Sequence, residues 1–500
     1  MWNIVVGLET HVQLKTDSKI FSPASTEFGT NPNSQVDFID AGLPGVLPVL
    51  NRDVVAFAIK FGLAVNAKIS PVSIFARKNY FYPDLPKGYQ ISQFEQPIVI
   101  GGNIEVRLQG QKKINVSLVR AHLEEDAGKS IHEGVDSLPK GKSGIDLNRA
   151  GMPLLEIVTE PCMNSAQEAV AYAKTLHRLV TWIQICDGNM QEGSFRVDAN
   201  VSVKRNPSDD LGTRCEIKNL NSFKFLERAI IVESERQIDL LENGQKVIQQ
   251  TRLFDPQSDE TRAMRSKEDA NDYRYFPDPD LPKLVVDNSW INQIKSEIPK
   301  LPNEVRNKFE NELKLNNEIC ESLLSKRSVT VFFEDTLEIF SNITKEKNSL
   351  KNISDLALSR AKLVANWMVG DLFSILNKES IEIGNSKISP EELAKLLVKL
   401  EDGTLSNKTA KELFEILWYE KNNRNIDEII SLRGLSQIQN NVQLNNYISG
   451  IIENNSKMVT EIKSGKEKAL NSLVGQVMKV SKGRANPKVV RDLLIERLKN

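Results

Sequence analysis

Ile4-Val5-Val6-Gly7-Leu8-Glu9-Thr10-His11-Val12-Gln13-Leu14 alternates with a period of two: Ile4, Val6, Leu8, Val12 and Leu14 are apolar, and Glu9, His11 and Gln13 project from the opposite side. That period is the side-chain repeat of a β-strand. Phe195 to Val203 repeats the pattern, placing Phe195, Val197, Ala199, Val201 and Val203 on one face and Arg196, Asp198, Asn200 and Ser202 on the other. One-sided strands belong to antiparallel or mixed sheets with one face on a core and one free for water or ligand. Here the free face carries carboxylates, an imidazole and a guanidinium. Strand-like segments with Gly and Pro turns continue to about Asn288.

Beyond Ile298-Pro299 the pattern becomes helical. Ser389-Pro390-Glu391-Glu392 predicts a helix start, with Ser389 as N-cap, Pro390 at the first position and Glu392 closing a capping box; Gly403 predicts its end. The expected architecture is α+β: a mixed or antiparallel-sheet domain over residues 1–292, then two all-α domains over 293–405 and 406–500. A length of 500 residues accommodates about three such domains.

Composition narrows the class. With 40% hydrophobic and 26% charged residues the chain has the balance of a folded protein. It contains no run of about eighteen apolar residues, and the apolar start lacks a basic leader and is cut short by Glu9, so a cytoplasmic protein is expected. Cys162, Cys186, Cys215 and Cys320 are widely spaced and form no Cys-x-x-Cys pair, which predicts neither disulfides nor a thiolate metal site. Net charge is −1, yet Lys457 to Asn500 holds eleven Lys and Arg against four Asp and Glu, a +7 module on a neutral body.

Glu9-Thr10-His11 and His122-Leu123-Glu124-Glu125-Asp126 together offer four carboxylates and two imidazoles. Such groups suit Mg²⁺ or Mn²⁺, and equally a solvated acidic edge. Gly141-Lys142-Ser143 resembles the tail of a phosphate-binding loop, but Asp136 stands where its first glycine is required. The stretches Arg77 to Pro83 and Asp272 to Pro277 mix cations with aromatic rings, as stacking on a base or a tRNA end requires, and as ordinary cation–π packing also produces.

The seventeen residues Ile145 to Pro161 (IDLNRAGMPLLEIVTEP) resemble the signature of the B and E subunits of tRNA-dependent amidotransferases. The resemblance continues through RKNYFYPDLPKGYQISQ (Arg77 to Gln93), HLEEDAGK (His122 to Lys129), EGSFRVDANVSV (Glu192 to Val203), EIKNLNSF (Glu216 to Phe223), DYRYFPDPDLP (Asp272 to Pro282) and the tail stretch Gly465 to Pro487. It implies a glutamine-synthetase-like cradle that binds Mg²⁺ (or Mn²⁺) and ATP and phosphorylates the side-chain carboxylate of misacylated Glu-tRNA(Gln) or Asp-tRNA(Asn), for amidation by ammonia. The residues it implies for the metal are Glu9, His11, Glu124, Glu125 and Glu156, and for catalysis Glu125, Arg196, Asp198 and Asn200. For the nucleotide and aminoacyl end they are Arg77, Lys78, Tyr80, Tyr82, Lys87, Tyr89, Gln90, Ser92, Lys218 and Arg274. In the basic tail, Lys466, Lys468, Lys479, Lys482 and Arg484 are the expected tRNA contacts.

Many members of that family carry a Cys-x-Cys and a Cys-x-x-Cys in the first fifty residues, where this chain has Ser22, Ala24, Asp37 and Asp40. No structural zinc is expected; the loop should be held by packing around Ala41 to Gly45, with the two aspartates at the surface. No activated nucleophile for glutamine hydrolysis is legible, so ammonia must come from a partner. The resemblance identifies that partner as an amidase-type A subunit, with a small C subunit supporting the pair. The alternative reading is a noncatalytic tRNA-binding scaffold, which leaves the carboxylate faces unexplained.

Overall fold

The N-terminal alternating stretch forms β1 (Asn3–Gln13), and its period-two burial follows the sequence pattern. The computed structural model describes residues 2–108, 112–131, 141–266, 273–345, 353–420, 425–438, 441–463 and 467–499. The chain divides into two compact units, Met1–Pro302 and Asn303–Asn500.

The first unit is built on a 13-stranded mixed sheet. After β1 come β2 (Lys68–Ile69), β3 (Ala76–Asn79), β4 (Tyr89–Ser92), β5 (Val99–Ile100), β6 (Asn103–Arg107), β7 (Lys113–Glu125) and β8 (Pro153–Thr159). The rest are β9 (Phe195–Lys204), β10 (Cys215–Lys218), β11 (Gln250–Asp255), β12 (Glu260–Ser266) and β13 (Phe276–Pro277). The main path runs β12-β11-β10-β9-β1-β8-β7-β4-β3-β13. The second alternating stretch is β9, and it lies antiparallel beside β1. Pairing is antiparallel along the path except between β10 and β11.

Three helices supply the covering layer: α1 (Arg52–Ala64), α2 (Ala166–Trp182) and α3 (Phe223–Glu242), each begun by a side chain, Asn51, Ser165 or Ser222, that accepts a backbone N–H of the first turn. Leu226, Ala229 and Ile230 of α3 are buried, as are Ala199 and Val201 of β9, against which it packs. Each large aliphatic side chain contributes about 1.5–3 kcal/mol on burial. With the apolar face covered, the Glu9/His11 face is left to build a site.

The loop after β1 corrects the sequence expectation. Leu43, Pro44 and Gly45 are exposed, so packing there does not hold it. Asp40 is buried and forms an ion pair with the fully buried Lys19 (3.0 Å), and Ser22 Oγ donates to the same carboxylate (3.0 Å). Lys19 Nζ also donates to the carbonyls of Gln35 (2.7 Å) and Leu147 (3.3 Å), tying the loop to the signature segment. There Gly151 has φ +77°, and a Cβ on it would meet Asp40 Oδ1 at 2.5 Å. The loop is fastened by a buried polar network whose partners lie far apart in sequence.

The second unit is helical. The helix Pro390–Glu401 starts with both reciprocal bonds of the Ser389–Glu392 capping box and is followed by Gly403 at φ +77°, as the sequence predicts. Arg360 fastens the helix Ile353–Trp367 to it through two bonds to Glu401 (2.8 and 2.9 Å). Helices Asn441–Asn454, Glu467–Val480 and Pro487–Lys499 share a core that includes Leu444, Ile448, Leu473, Val477, Val490 and Leu494. Among the described residues no helix is long and apolar enough to cross a membrane.

Candidate active site

The strand order assembles what sequence spacing cannot. β8 lies between β1 and β7, and its register places Glu156 opposite His11 on one side and His122 on the other. Glu124, two residues along β7 from His122, shares its face. His11 Nε2 lies 3.5 Å from both Glu124 Oε1 and Glu156 Oε2, and His122 Nε2 lies 3.3 Å from Glu156 Oε2 and 3.7 Å from Glu124 Oε2. Candidate ligand atoms of His11, Glu124 and Glu156 all fall within 4.8 Å of one another, spacing suited to one divalent cation held by an imidazole and two carboxylates.

Electrostatics mark the group as strongly coupled. Burial lowers the imidazole pKa values, but Glu156 and Glu124 more than offset it, so His11 and His122 are both pushed up to about 9. Burial opposes ionisation of Glu156 in turn, and the two imidazoles outweigh it, holding that carboxyl well below the usual range. The buried Nδ1 of His122 has no hydrogen-bond partner among the described residues.

Around this centre β9 and β10 contribute the polar face expected from the sequence. Glu9 accepts a bond from Asn200 Nδ2 (2.8 Å). Arg196 Nη2 pairs with Asp126 (2.9 Å), and Lys218 Nζ bridges Asp198 (2.8 Å) and Glu216 (3.1 Å). Those carboxylates, against the cost of burial, push Lys218 above the ordinary lysine range. Gly7, Glu9, Asn200, Ser202, Arg214 and Gln249 line part of an adjoining cavity of about 360 Å³.

Glu125 does not join the His11 group. Adjacent residues of a strand point to opposite faces, so Glu125 leaves Glu124 behind and takes Lys87 and the Ile91 amide (2.8 Å) as partners. Burial pushes its carboxyl up, with Lys87 opposing. Gln90 donates to the Glu125 carbonyl (2.7 Å), and Ser92 Oγ to Glu124 Oε2 (3.3 Å).

The two cation–aromatic stretches meet, because β13 pairs with β3 and sets Phe276 opposite Arg77. Tyr80 packs edge-on against Tyr82 (5.7 Å) and Tyr273 (6.2 Å), Lys78 Nζ sits 4.7 Å from the Tyr273 ring centre, and Phe94 stacks on Tyr275 at 4.1 Å. Burial and the charges of Glu124 and Glu156 raise the Tyr275 pKa. Arg77 is engaged elsewhere, with Asp278 and Asp280 (both 2.8 Å) and over the Tyr89 ring (4.2 Å). Arg274 is exposed, with φ 47°. In the tail Lys468, Lys479 and Lys482 are exposed, Arg484 donates to the Gly434 carbonyl (3.1 Å), and Lys466 and the Asp136 position lie outside the described residues. The sequence offers His122 as one of two imidazoles suited to a cation and Tyr275 as part of a cation–aromatic stretch, yet the residues the resemblance implies for the site include neither; the signal for His122 is its position two residues before Glu124, on the same strand face.

Comparison with known proteins places this chain, a mixed-sheet unit followed by a helical one, in a known class. Family models of the GatB/GatE catalytic domain and of the GatB domain match residues 4–292 and 338–498, and the chain belongs to the GatB/GatE family. It is 54% identical over 503 residues to the B subunit of the aspartyl/glutamyl-tRNA(Asn/Gln) amidotransferase of Polynucleobacter asymbioticus, with 99% of each chain covered. Its identity to the B subunits of the same enzyme from Ralstonia pickettii and Paraburkholderia xenovorans is 52% and 53%, again over 99% of each chain.

Proposed function

We propose that this chain is the activating subunit of a cytoplasmic aspartyl/glutamyl-tRNA(Asn/Gln) amidotransferase, and that its sheet is a glutamine-synthetase-like cradle for ATP and the aminoacyl end of tRNA. The observation that carries the reading is the convergence of His11, Glu124 and Glu156 beside Arg196, Lys218 and Asn200 on one open sheet face. A scaffold that only bound tRNA would have no use for buried carboxylates and imidazoles there.

In the proposed reaction a side-chain carboxylate oxygen of Glu-tRNA(Gln) or Asp-tRNA(Asn) attacks the γ-phosphorus of ATP; ADP leaves and an acyl phosphate forms. Ammonia, released from glutamine by an amidase-type A subunit, then attacks the acyl carbon and expels inorganic phosphate, leaving the amide. The pair is supported by a small C subunit. His11, Glu124 and Glu156 would hold Mg²⁺ or Mn²⁺, and the bound ion would supply positive charge to offset that of the phosphates. Glu9 and Asn200 border the cavity that takes the nucleotide, which lies in the usual size range of ligand pockets. Arg196 and Lys218, charged at any working pH, steady phosphate oxygens. Residues 293–405 act as a linker, and the exposed lysines of 406–500 contact tRNA phosphates.

The test is transamidation by the reconstituted complex with each misacylated tRNA and ATP. ADP formation that depends on misacylated tRNA and disappears in Glu124→Gln supports the reading; ADP formation indifferent to that substitution overturns it.

A further inference from the structure

Among the described residues, one guanidinium beside the site has a buried nitrogen without an acceptor. Arg196 is paired with Asp126, Lys218 with Asp198 and Glu216, Lys87 with Glu125, and Arg77 with Asp278 and Asp280. Arg120, two residues before His122 on β7, forms no side-chain hydrogen bond or ion pair among the described residues, and its Nε is buried without an acceptor. Leaving a charged donor in that state is costly, and such an atom calls for an anion.

The backbone shows how Arg120 is brought to this face. Val158 of β8 pairs with Arg120 whereas Thr159 pairs with Leu118, so Val119 is an extra residue, a β-bulge. Before it Val116 and Leu118 are buried and Ser117 and Val119 exposed; after it Ala121 and Leu123 are core residues. The bulge therefore switches the alternation and turns Arg120, His122 and Glu124 together to the side of His11 and Glu156. Arg120 stands about 7 Å along the strand from His122, by the rise of two residues. Its charge is felt at the Tyr275 hydroxyl, on which Glu124 and Glu156 also act, and Tyr275 is stacked on Phe94.

We propose that Arg120 is the binding residue for the side-chain carboxylate of the aminoacyl group, and so the group that separates the acidic substrate from its neutral amide product. A guanidinium presents a planar fork that matches a carboxylate bidentately. The phosphates already have the metal-binding group, Arg196 and Lys218; Gln93 N–H bonds the Leu123 carbonyl, so Phe94 and the Tyr275 stacked on it run alongside β7 and offer a flat apolar wall suited to an aminoacyl or adenosine moiety rather than to a polyphosphate. This rests on the function proposed above. If that function is wrong, the wild-type complex will form no ADP in response to misacylated tRNA, an outcome distinct from every result below.

The test measures equilibrium binding of Glu-tRNA(Gln) and Gln-tRNA(Gln) to the reconstituted complex without ATP. The wild type should prefer the glutamyl form. Arg120→Ala should remove the preference by weakening Glu-tRNA(Gln) on the order of 10- to 100-fold, leaving Gln-tRNA(Gln) and the KM for ATP unchanged. Arg120→Lys, which keeps the charge but loses the fork, should retain part of it and serves also if the alanine variant does not fold. Equal weakening of both tRNAs, no preference in the wild type, or a raised KM for ATP with the preference intact would each overturn the assignment.

Discussion

Glu156 is the side chain on which the centre turns, because it lies between both imidazoles on the strand that separates them. Its Oε2 is 3.5 Å from His11 Nε2 and 3.3 Å from His122 Nε2. Glu156→Gln removes the charge and a candidate ligand oxygen while keeping shape; tRNA-dependent ADP formation should fall by more than the ~10- to 100-fold typical of an outer ligand partner, with the far-ultraviolet circular dichroism unchanged. The Lys19–Asp40 pair is the residue-scale counterpart in stability. Asp40→Asn leaves an ammonium buried among carbonyls, and removing one partner of a buried pair costs about 3–5 kcal/mol. A urea titration should show that loss, and Lys19→Met with Asp40→Leu should recover most of it, since replacing both charges by apolar groups is near neutral.

At the scale of elements, α3 is latched to the β11–β12 hairpin through one buried carboxylate. Glu233 receives bonds from Arg236 (2.6 Å), Gln237 (2.8 Å) and Thr261 (2.7 Å), and Arg252 Nε lies 3.2 Å away. Burial opposes its ionisation, but Arg236 and the other donors prevail and lower its pKa below 4.5. A depressed carboxylate stabilises the fold above its unfolded pKa and loses that contribution as pH falls through the folded value. Unfolding below about pH 4.5 should therefore be less steep in Glu233→Gln than in the wild type, as followed by tryptophan fluorescence against pH; identical acid limbs would show the latch to be inert. The same element scale explains what was legible. The alternation of Ile4 to Leu14 and of Phe195 to Val203 announces β1, β9 and their polar face, and Ser389 to Glu392 announces a helix start, because those signals are local. That β8 separates β1 from β7, and so hands Glu156 to both His11 and His122, depends on pairing between segments remote in the chain. Glu124 and Glu125 look equivalent in HLEEDAGK, and only the registered strand sends them to opposite faces. Asp40 reads as surface because nothing near it in sequence names Lys19 as its partner.

At the scale of the whole molecule the question is which reactions this chain can perform unaided. Its tail has cations to offer: Lys468, Lys479 and Lys482 are exposed above a shared helical core, so neutralising them is a cleaner probe than truncation, which would cut into Leu473, Val477 and Val490. Replacing the three by Gln should weaken tRNA binding and reduce the slope of log affinity against log salt by about 2–3, one charge contact each. Glutamine hydrolysis is another matter, since it needs a nucleophile activated by a base or by a lowered pKa. Burial raises the Cys162 thiol, pushes Cys186 up to about 12, and together with Glu233 pushes Cys215 up to about 11. Arg236 Nη2 does approach Cys215 Sγ (3.6 Å), but the guanidinium is claimed by Glu233, and the net effect still favours the thiol. Cys320 is fully buried in the helical unit, and His177, the imidazole nearest a cysteine in sequence, holds its Nε2 against the Gly188 carbonyl at 2.7 Å. With its thiols held protonated or buried, the chain purified alone should release no glutamate from glutamine, while ammonium salts should support amide formation once ATP and misacylated tRNA are present. Measuring glutamate release before and after adding the proposed amidase-type partner tests this directly. Release by the lone chain that vanished in Cys215→Ala would move the glutaminase into this polypeptide and end the division of labour proposed for it.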